Sequence, residues 1–289
     1  MATSVKEPVK AVTDKAPAGA LEVSELCFVA EAPADALVVR EFSQPRSACA
    51  VKTAVAPANL GGPSETATGT SVIVFVPADA GNAVAEGVRA KLAGEKREPS
   101  KAAMKHGSEL VEWWPGRVLI QAGSDARADV QAAVIDFLFY EAELRELERL
   151  VTAGEAQAVA DLEVGHRVHP RDRRRWTALF DAMERFTRAR LVFARLEPEL
   201  SGDLSSLSAP ARRWLGRLYD AALVEDRAEA LSYRLEALED FYEAATQRIA
   251  DFRWYREGRL LELTIIAILV LECLLMAGDL FLHFAPAAH

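Results

Sequence analysis

Apolar positions change their period along this chain. Between Leu21 and Phe42 they fall in short β-branched and aromatic runs of strand length, LCFVA and ALVVREF. SVIVFVP (71–77) is apolar without interruption, which predicts a strand buried on both faces. Asp79 follows and can cap a helix over AGNAVAEGVRAKLA. In ELVEWWPGRVLIQA (109–122) two strand-like runs flank Trp-Pro-Gly, the pattern of a hairpin turn. From Asp125 the period becomes helical. Val130, Val134, Phe137 or Leu138, Glu141, Leu144 and Leu147 or Glu148 mark one face of a long helix.

A second helix is predicted through WTALFDAMERFTRARLVFARL (176–196), with Trp176, Phe180, Met183 and Phe186 as its core face. Pro198, Gly202 and several serines then break the chain, and Pro210 can sit in the first turn of the next helix. Val224, Leu231, Leu235, Leu238, Tyr242, Ala245, Ile249 and Phe252 keep an a/d seam through four heptads. This predicts a long coiled-coil-like helix over 211–259, with no proline or glycine from 211 to 257 except Gly216. The fold class expected is α+β. It comprises a tail at 1–20, an α/β domain at 21–125 with 43–70 as a loop or linker, an all-α domain at 126–259, and an apolar segment at 260–284. The stretch 94–101, GEKREPSK, reads as a solvated loop, and the Lys/Ala/Pro tail, which has no apolar signal core, reads as disordered.

The 25 residues 260–284 would extend about 37 Å as a helix, against a hydrocarbon layer of about 30 Å. Glu272 at the centre costs about 3 kcal/mol. Fifteen Leu, Ile, Val and Phe residues, each contributing about 0.3–0.6 kcal/mol, outweigh it. The rival reading is a hydrophobic helix buried in a soluble oligomer. Arg248, Arg253, Arg256 and Arg259 precede the span and no Lys or Arg follows it, which places residues 1–259 on the cytoplasmic or matrix-equivalent side of a single-pass C-terminal anchor. Asp279 and His283 lie seven and eleven residues beyond Glu272, so the three share one helical face. A polar face on an apolar helix points to helix pairing, with a proton or ion path of a transport-associated subunit as the alternative reading. Homo-oligomerisation through 224–252 and 260–284 is therefore expected, with membrane lipid as the other partner.

Net charge is −9, which excludes bulk nucleic-acid binding and leaves room only for a local basic patch. That patch is Arg167, Arg171, Arg173, Arg174 and Arg175 beside Trp176, either a solvated helix start or a phosphate contact to RNA, a ribosome or anionic lipid. Cys27, Cys49 and Cys273 are too scattered for a disulfide framework or a thiolate metal site. His166 and His169 are three apart with no third ligand nearby, so no metal is expected. No dinucleotide, Walker, nucleophile-elbow, zinc-protease or EF-hand motif occurs. No catalytic residue, cofactor or small-molecule substrate is inferred.

RAEALSYRL at 227–235, Leu261-Glu262 and Glu272 ten residues later together resemble the C-terminal part of the family required for meiotic nuclear division, also catalogued as a domain of unknown function. Arg227, Leu231, Arg234 and Leu235 match its arginine-leucine motif, with Ser232 where an asparagine is usual. Glu262 and Glu272 match its two glutamates, with Leu263 where a tryptophan is usual. The order of parts, including the FYEAELRELE helix, extends the likeness over about 70–280. The resemblance implies a membrane-tethered scaffold, near ribosomes and in support of translation for the animal mitochondrial member, with no catalytic residues to carry over.

Overall fold

A computed structural model of the chain describes residues 21–55, 70–80, 82–93, 100–166, 168, 172–201 and 206–284. Seven strands and five helices follow in the order β1 (Glu22–Val29), β2 (Leu37–Phe42), β3 (Ala48–Ala54), β4 (Thr70–Pro77), α1 (Asn82–Leu92), β5 (Ala102–His106), β6 (Glu109–Trp114), β7 (Arg117–Ala122), α2 (Arg127–His166), α3 (Arg173–Leu200), α4 (Ala209–Ala221) and α5 (Val224–Phe284). The α+β arrangement expected from sequence is the arrangement found. The expected tail at 1–20 lies outside the described residues.

By contact the chain divides into two compact units, Met1–Val151 with Ala189–Arg234, and Thr152–Arg188 with Leu235–His289. This cuts differently from a boundary at 125. The sheet takes with it the first part of α2, the end of α3, all of α4 and the start of α5. A sheet with one apolar face open to water must be covered, and these helical segments supply the cover.

In the first unit the strands lie in the order β2-β3-β1-β4-β7-β6-β5. The β4–β7 pair is parallel and every other pair is antiparallel. A parallel neighbour needs a crossover, and α1 lies in the one between β4 and β7. Side chains alternate between faces along each strand. Val23, Val74, Val76, Trp114 and Leu119 bury against Ala85, Val88 and Leu92 of α1. On the other face Trp113 meets Phe137 of α2 at 5.3 Å and Phe28 meets Phe139 at 5.2 Å. Unbroken burial of 133–141 in α2 follows from this cover. The β6–β7 hairpin turns at Pro115-Gly116, where Gly116 takes φ 74°, a conformation open to glycine at little steric cost.

Two strands depart from the sequence reading. β3 falls inside the stretch expected as a loop at 43–70, of which 56–69 lies outside the described residues. Its alanines have weak strand preference, but it pairs on both edges, with β1 and β2, and tertiary pairing overrides propensity. β5 follows the charged stretch at 94–101 and pairs with β6, extending the hairpin to three strands.

The long helix expected over 211–259 is two helices. Ala222 closes α4, with its amide donating to the Leu218 carbonyl at 3.0 Å, and Leu223 adopts φ 52° before α5 begins. A left-handed leucine ends one helix and re-aims the next without a glycine or proline to announce it. α5 then runs 61 residues without interruption into the apolar segment. α3 likewise passes through Pro198, expected as a breaker, and ends two residues later at Leu200.

The second unit packs the end of α2, the start of α3 and the middle of α5. Phe186 stacks on Tyr242 at 5.3 Å. A Cβ on Gly154 would come within 2.3 Å of Phe186, so a side-chain-free residue permits this close approach. Arg248 donates to the Gly165 carbonyl at 3.0 Å, which satisfies an acceptor in the last turn of α2. The core face of α3 runs through Trp176, Leu179, Ala182 and Phe186, while Phe180 is 41% exposed. Of the stripe expected through Trp176, Phe180, Met183 and Phe186, Phe180 alone is exposed; Met183 is half-buried and its sulfur accepts from Thr246 of α5 at 3.2 Å.

Seam residues Val224, Leu231, Leu235, Leu238, Tyr242, Ala245 and Ile249 are all buried within the chain itself. The surface expected to meet a second copy through 224–252 is thus already covered. Beyond it the burial ends, and residues 253–277 are exposed throughout.

Candidate functional site

Three constellations stand out, and the first joins two sequence motifs. Arg227 lies in the first turn of α5, where it reaches the FYEAELRELE part of α2. Its Nε and Nη2 both donate to Glu148 at 2.8 Å, a two-pronged fork that matches the carboxylate. The same guanidinium donates to Glu141 at 3.4 Å, and Arg145 donates to Glu141 from one turn on. Glu141 is only 3% exposed at its side chain. Burial works against the charge on Arg227, but Glu148 and Glu141 raise its pKa above the usual arginine value. Two guanidiniums and two carboxylates balance here. Such a closed network holds helices in register and leaves no free acid or base.

Leu231 and Leu235 of the same motif are core residues. Arg234 is half-buried. Ser232 accepts from Arg190 at 3.0 Å through its hydroxyl. A short oxygen acceptor thus serves at that position.

The second constellation is one that the sequence reading missed. Asp136 has no exposed side-chain surface and accepts from Arg40 Nη2 at 2.7 Å. The same nitrogen donates to Ser206 at 2.7 Å. The other carboxylate oxygen of Asp136 has no partner among the described residues. Burial pushes the Asp136 carboxyl up to about 6, against the pull of Arg40 and with a push from Glu199. Tyr140 donates to Glu199 at 3.3 Å, and Tyr219 donates to the Glu199 carbonyl at 3.3 Å. Both phenols are raised above the ordinary tyrosine value, first by burial and then by neighbouring negative or phenolic groups. A carboxyl near 6 is in the range of a general acid or base. With no exposed surface, however, Asp136 meets no substrate atom in this conformation. One signal was legible: a lone aspartate inside the apolar run AAVIDFLFY.

The third lies in the second unit, beside the start of the apolar segment. Trp176 packs edge-on against Phe252, with ring centroids 6.0 Å apart. A cavity of about 400 Å³ opens there, walled on the α3 side by Trp176, Thr177 and Phe180. The α5 side contributes Phe252, Arg253, Arg256 and Glu257. Neither arginine forms an ion pair among the described residues. The Trp176 indole N–H, buried, has no acceptor there. Of the basic cluster, Arg174 and Arg175 are exposed at the start of α3. Arg167 and Arg171 lie outside the described residues, as do His169 and the side chains of His166 and Arg173. Arg174 and Arg175 thus directly precede in sequence the Trp176 that walls the same cavity as Arg253 and Arg256.

In that segment Glu262 and Glu272 are exposed on α5. The helix continues through Asp279 and His283, whose side chains lie outside the described residues. α5 is long and apolar enough to cross a membrane, with mean hydropathy 2.5 in its most apolar window and none of that window buried. Among the described residues no three His, Cys, Asp or Glu side chains group as metal ligands. No protein-family model matches the chain, and no curated protein matches it in sequence.

Proposed function

We propose that this chain is a membrane-anchored, self-associating, non-enzymatic scaffold of the family required for meiotic nuclear division, with residues 1–259 on the cytoplasmic or matrix-equivalent side. The observation that carries the reading is the uncovered apolar half of α5. Leucine, isoleucine and valine side chains from Leu260 to Leu275 are 53–66% exposed, around every face of the helix. A continuous apolar surface of this kind needs a nonpolar surround.

The residues just before it support a bilayer as that surround. Trp254 and Tyr255 are 79% and 63% exposed, interleaved with Arg253, Arg256 and Arg259. Exposed aromatics with basic neighbours at the end of an apolar run are the composition of a membrane interface, and the arginines set the side. With the 224–252 seam covered, self-association is assigned to 260–284, where the Glu272 side chain can hydrogen-bond across a helix pair. The family reading rests on Arg227, Leu231, Arg234, Leu235, Glu262 and Glu272, and on the contact of Arg227 with the FYEAELRELE helix.

Carbonate washing of membranes that carry the full chain tests the anchor: the chain stays in the pellet, and release into the supernatant would sink the reading. Protease added to sealed membranes of known orientation then tests the side. Only the face that bears residues 1–259 should yield fragments.

A further inference from the structure

We infer that the cleft between the start of α3 and the stretch of α5 just before the apolar segment binds the phosphate headgroup of an anionic phospholipid. The inference deepens the anchor reading and rests on it.

Position comes first. Arg256 precedes Leu260 by four residues, about 6 Å along a helix, and Phe252 precedes it by eight, about 12 Å. Each headgroup layer of a bilayer is about 5–7 Å deep outside its hydrocarbon. With Leu260 at the hydrocarbon edge, Arg256 stands within the headgroups and Arg253 just above them. Long arginine side chains can bridge that difference by bending toward the interface.

Chemistry comes second. Arg253 and Arg256 are exposed guanidiniums that line one cavity and have no ion pair among the described residues. Elsewhere arginines of this chain are commonly paired, as Arg40, Arg46, Arg89, Arg127, Arg145 and Arg227 are. The planar fork of arginine suits phosphate oxygens. Thr177 adds a hydroxyl, and the unpartnered indole N–H of Trp176 belongs to the same wall. Arg174 and Arg175, exposed one and two residues before Trp176, add positive potential at the α3 side. Glu257 also lines the cavity and opposes the anion, so the net field there is set by the arginines' excess. Exposed Phe180 and half-buried Phe252 offer apolar surface for the glycerol end of a lipid. RNA needs a basic track accessible from solvent, whereas this cleft opens within about 12 Å of the apolar segment.

The test uses detergent-solubilised full-length protein, with native mass spectrometry reading bound phosphatidylglycerol against phosphatidylcholine. Wild type should retain phosphatidylglycerol preferentially. Arg253→Ala with Arg256→Ala should weaken that retention by about fivefold for each arginine, and Arg213→Ala with Arg217→Ala on α4 should not. Equal retention of the two lipids by wild type, or an unchanged preference in the 253/256 variant, overturns the proposal. Binding of millimolar inorganic phosphate by wild type, lost in the 253/256 variant, with no preference for phosphatidylglycerol over phosphatidylcholine would assign the cleft to free phosphate. Nuclease-sensitive RNA on wild type, lost in the 253/256 variant without a lipid preference, would assign it to nucleic acid. Either result overturns the lipid assignment. Carbonate washing separates the two readings. A pelleted chain with no lipid preference defeats this inference alone, and a released chain defeats the anchor as well.

Discussion

The two halves of α5 carry apolar residues in opposite ways. From Val224 to Ile249 they form a seam one residue wide, and every seam position from Val224 through Leu231 to Ile249 is buried in the chain. From Leu260 to Met276 they surround the helix and are all exposed. The polar residues differ in the same sense. Arg227 in the first half has two carboxylate partners, whereas Glu262 and Glu272 in the second face outward. One continuous helix thus meets two environments. The first half is covered by its own chain, and the second is not.

The largest effect should come from breaking the second half. Ile268→Lys with Leu271→Lys adds about 3 kcal/mol per lysine at mid-span and removes two favourable residues, about 7 kcal/mol in all. The chain should shift from the membrane pellet to the supernatant or to degradation. Its far-ultraviolet circular dichroism outside the span should be unchanged, because these positions touch no core residue.

Breaking the first half should act on folding instead. Arg227→Met leaves the nearly buried Glu141 with one partner fewer and Glu148 without its fork. A loss of about 3–5 kcal/mol is expected, read as a lower thermal midpoint in detergent with membrane retention intact.

A smaller change, of opposite sign to ordinary acid denaturation, is expected at Asp136. Its carboxyl sits at about 6 in the fold, above the ordinary aspartate value of about 4. The folded state then binds more protons than the unfolded state between those values. Its stabilising term is present below about 4 and lost as pH rises through about 6, for about 3 kcal/mol in total. Glu22 runs the other way. Burial alone would raise its pKa, but Lys52 and Arg127 lower it below 4.5, so its contribution is lost as pH falls. In denaturant melts Asp136→Asn should lose the fall in stability that wild type shows as pH rises from about 4 to 6, whereas Glu22→Gln should lose the fall that wild type shows as pH drops below 4.5.

Smallest is Glu272→Leu, at about 1 kcal/mol of helix–helix association. Oligomers in mild detergent should dissociate on dilution more readily than wild type, with the helix still inserted. Unchanged oligomer size would count against pairing through that face.

Legibility in the sequence followed how local each cause was. β4, the Pro115-Gly116 hairpin, the core face of α2 and the apolar half of α5 were readable because period, turn residues and length are properties of short windows. β3 was not, because Ala48–Ala54 becomes a strand through pairing on both edges. The break at Leu223 was hidden because a left-handed leucine leaves no compositional mark. Phe180 misled the assignment of the α3 face, because helical spacing alone does not choose between it and neighbouring Leu179. The meeting of Arg227 with Glu141 and Glu148 joins positions about 80 residues apart, and so does the cleft between Trp176 and Arg256. Motif residues could be named in advance, but not their partners.

Cys273 offers the most direct test of the claim that the second half of α5 lies in a bilayer. It is exposed on the helix surface, whereas Cys27 and Cys49 are half-buried in the first unit. In a Cys27→Ser, Cys49→Ser background, a water-soluble maleimide added to intact membranes should leave Cys273 unlabelled. Thiolate formation and reagent access both need water. Labelling should appear once detergent dissolves the bilayer. Prompt labelling in intact membranes would contradict the account.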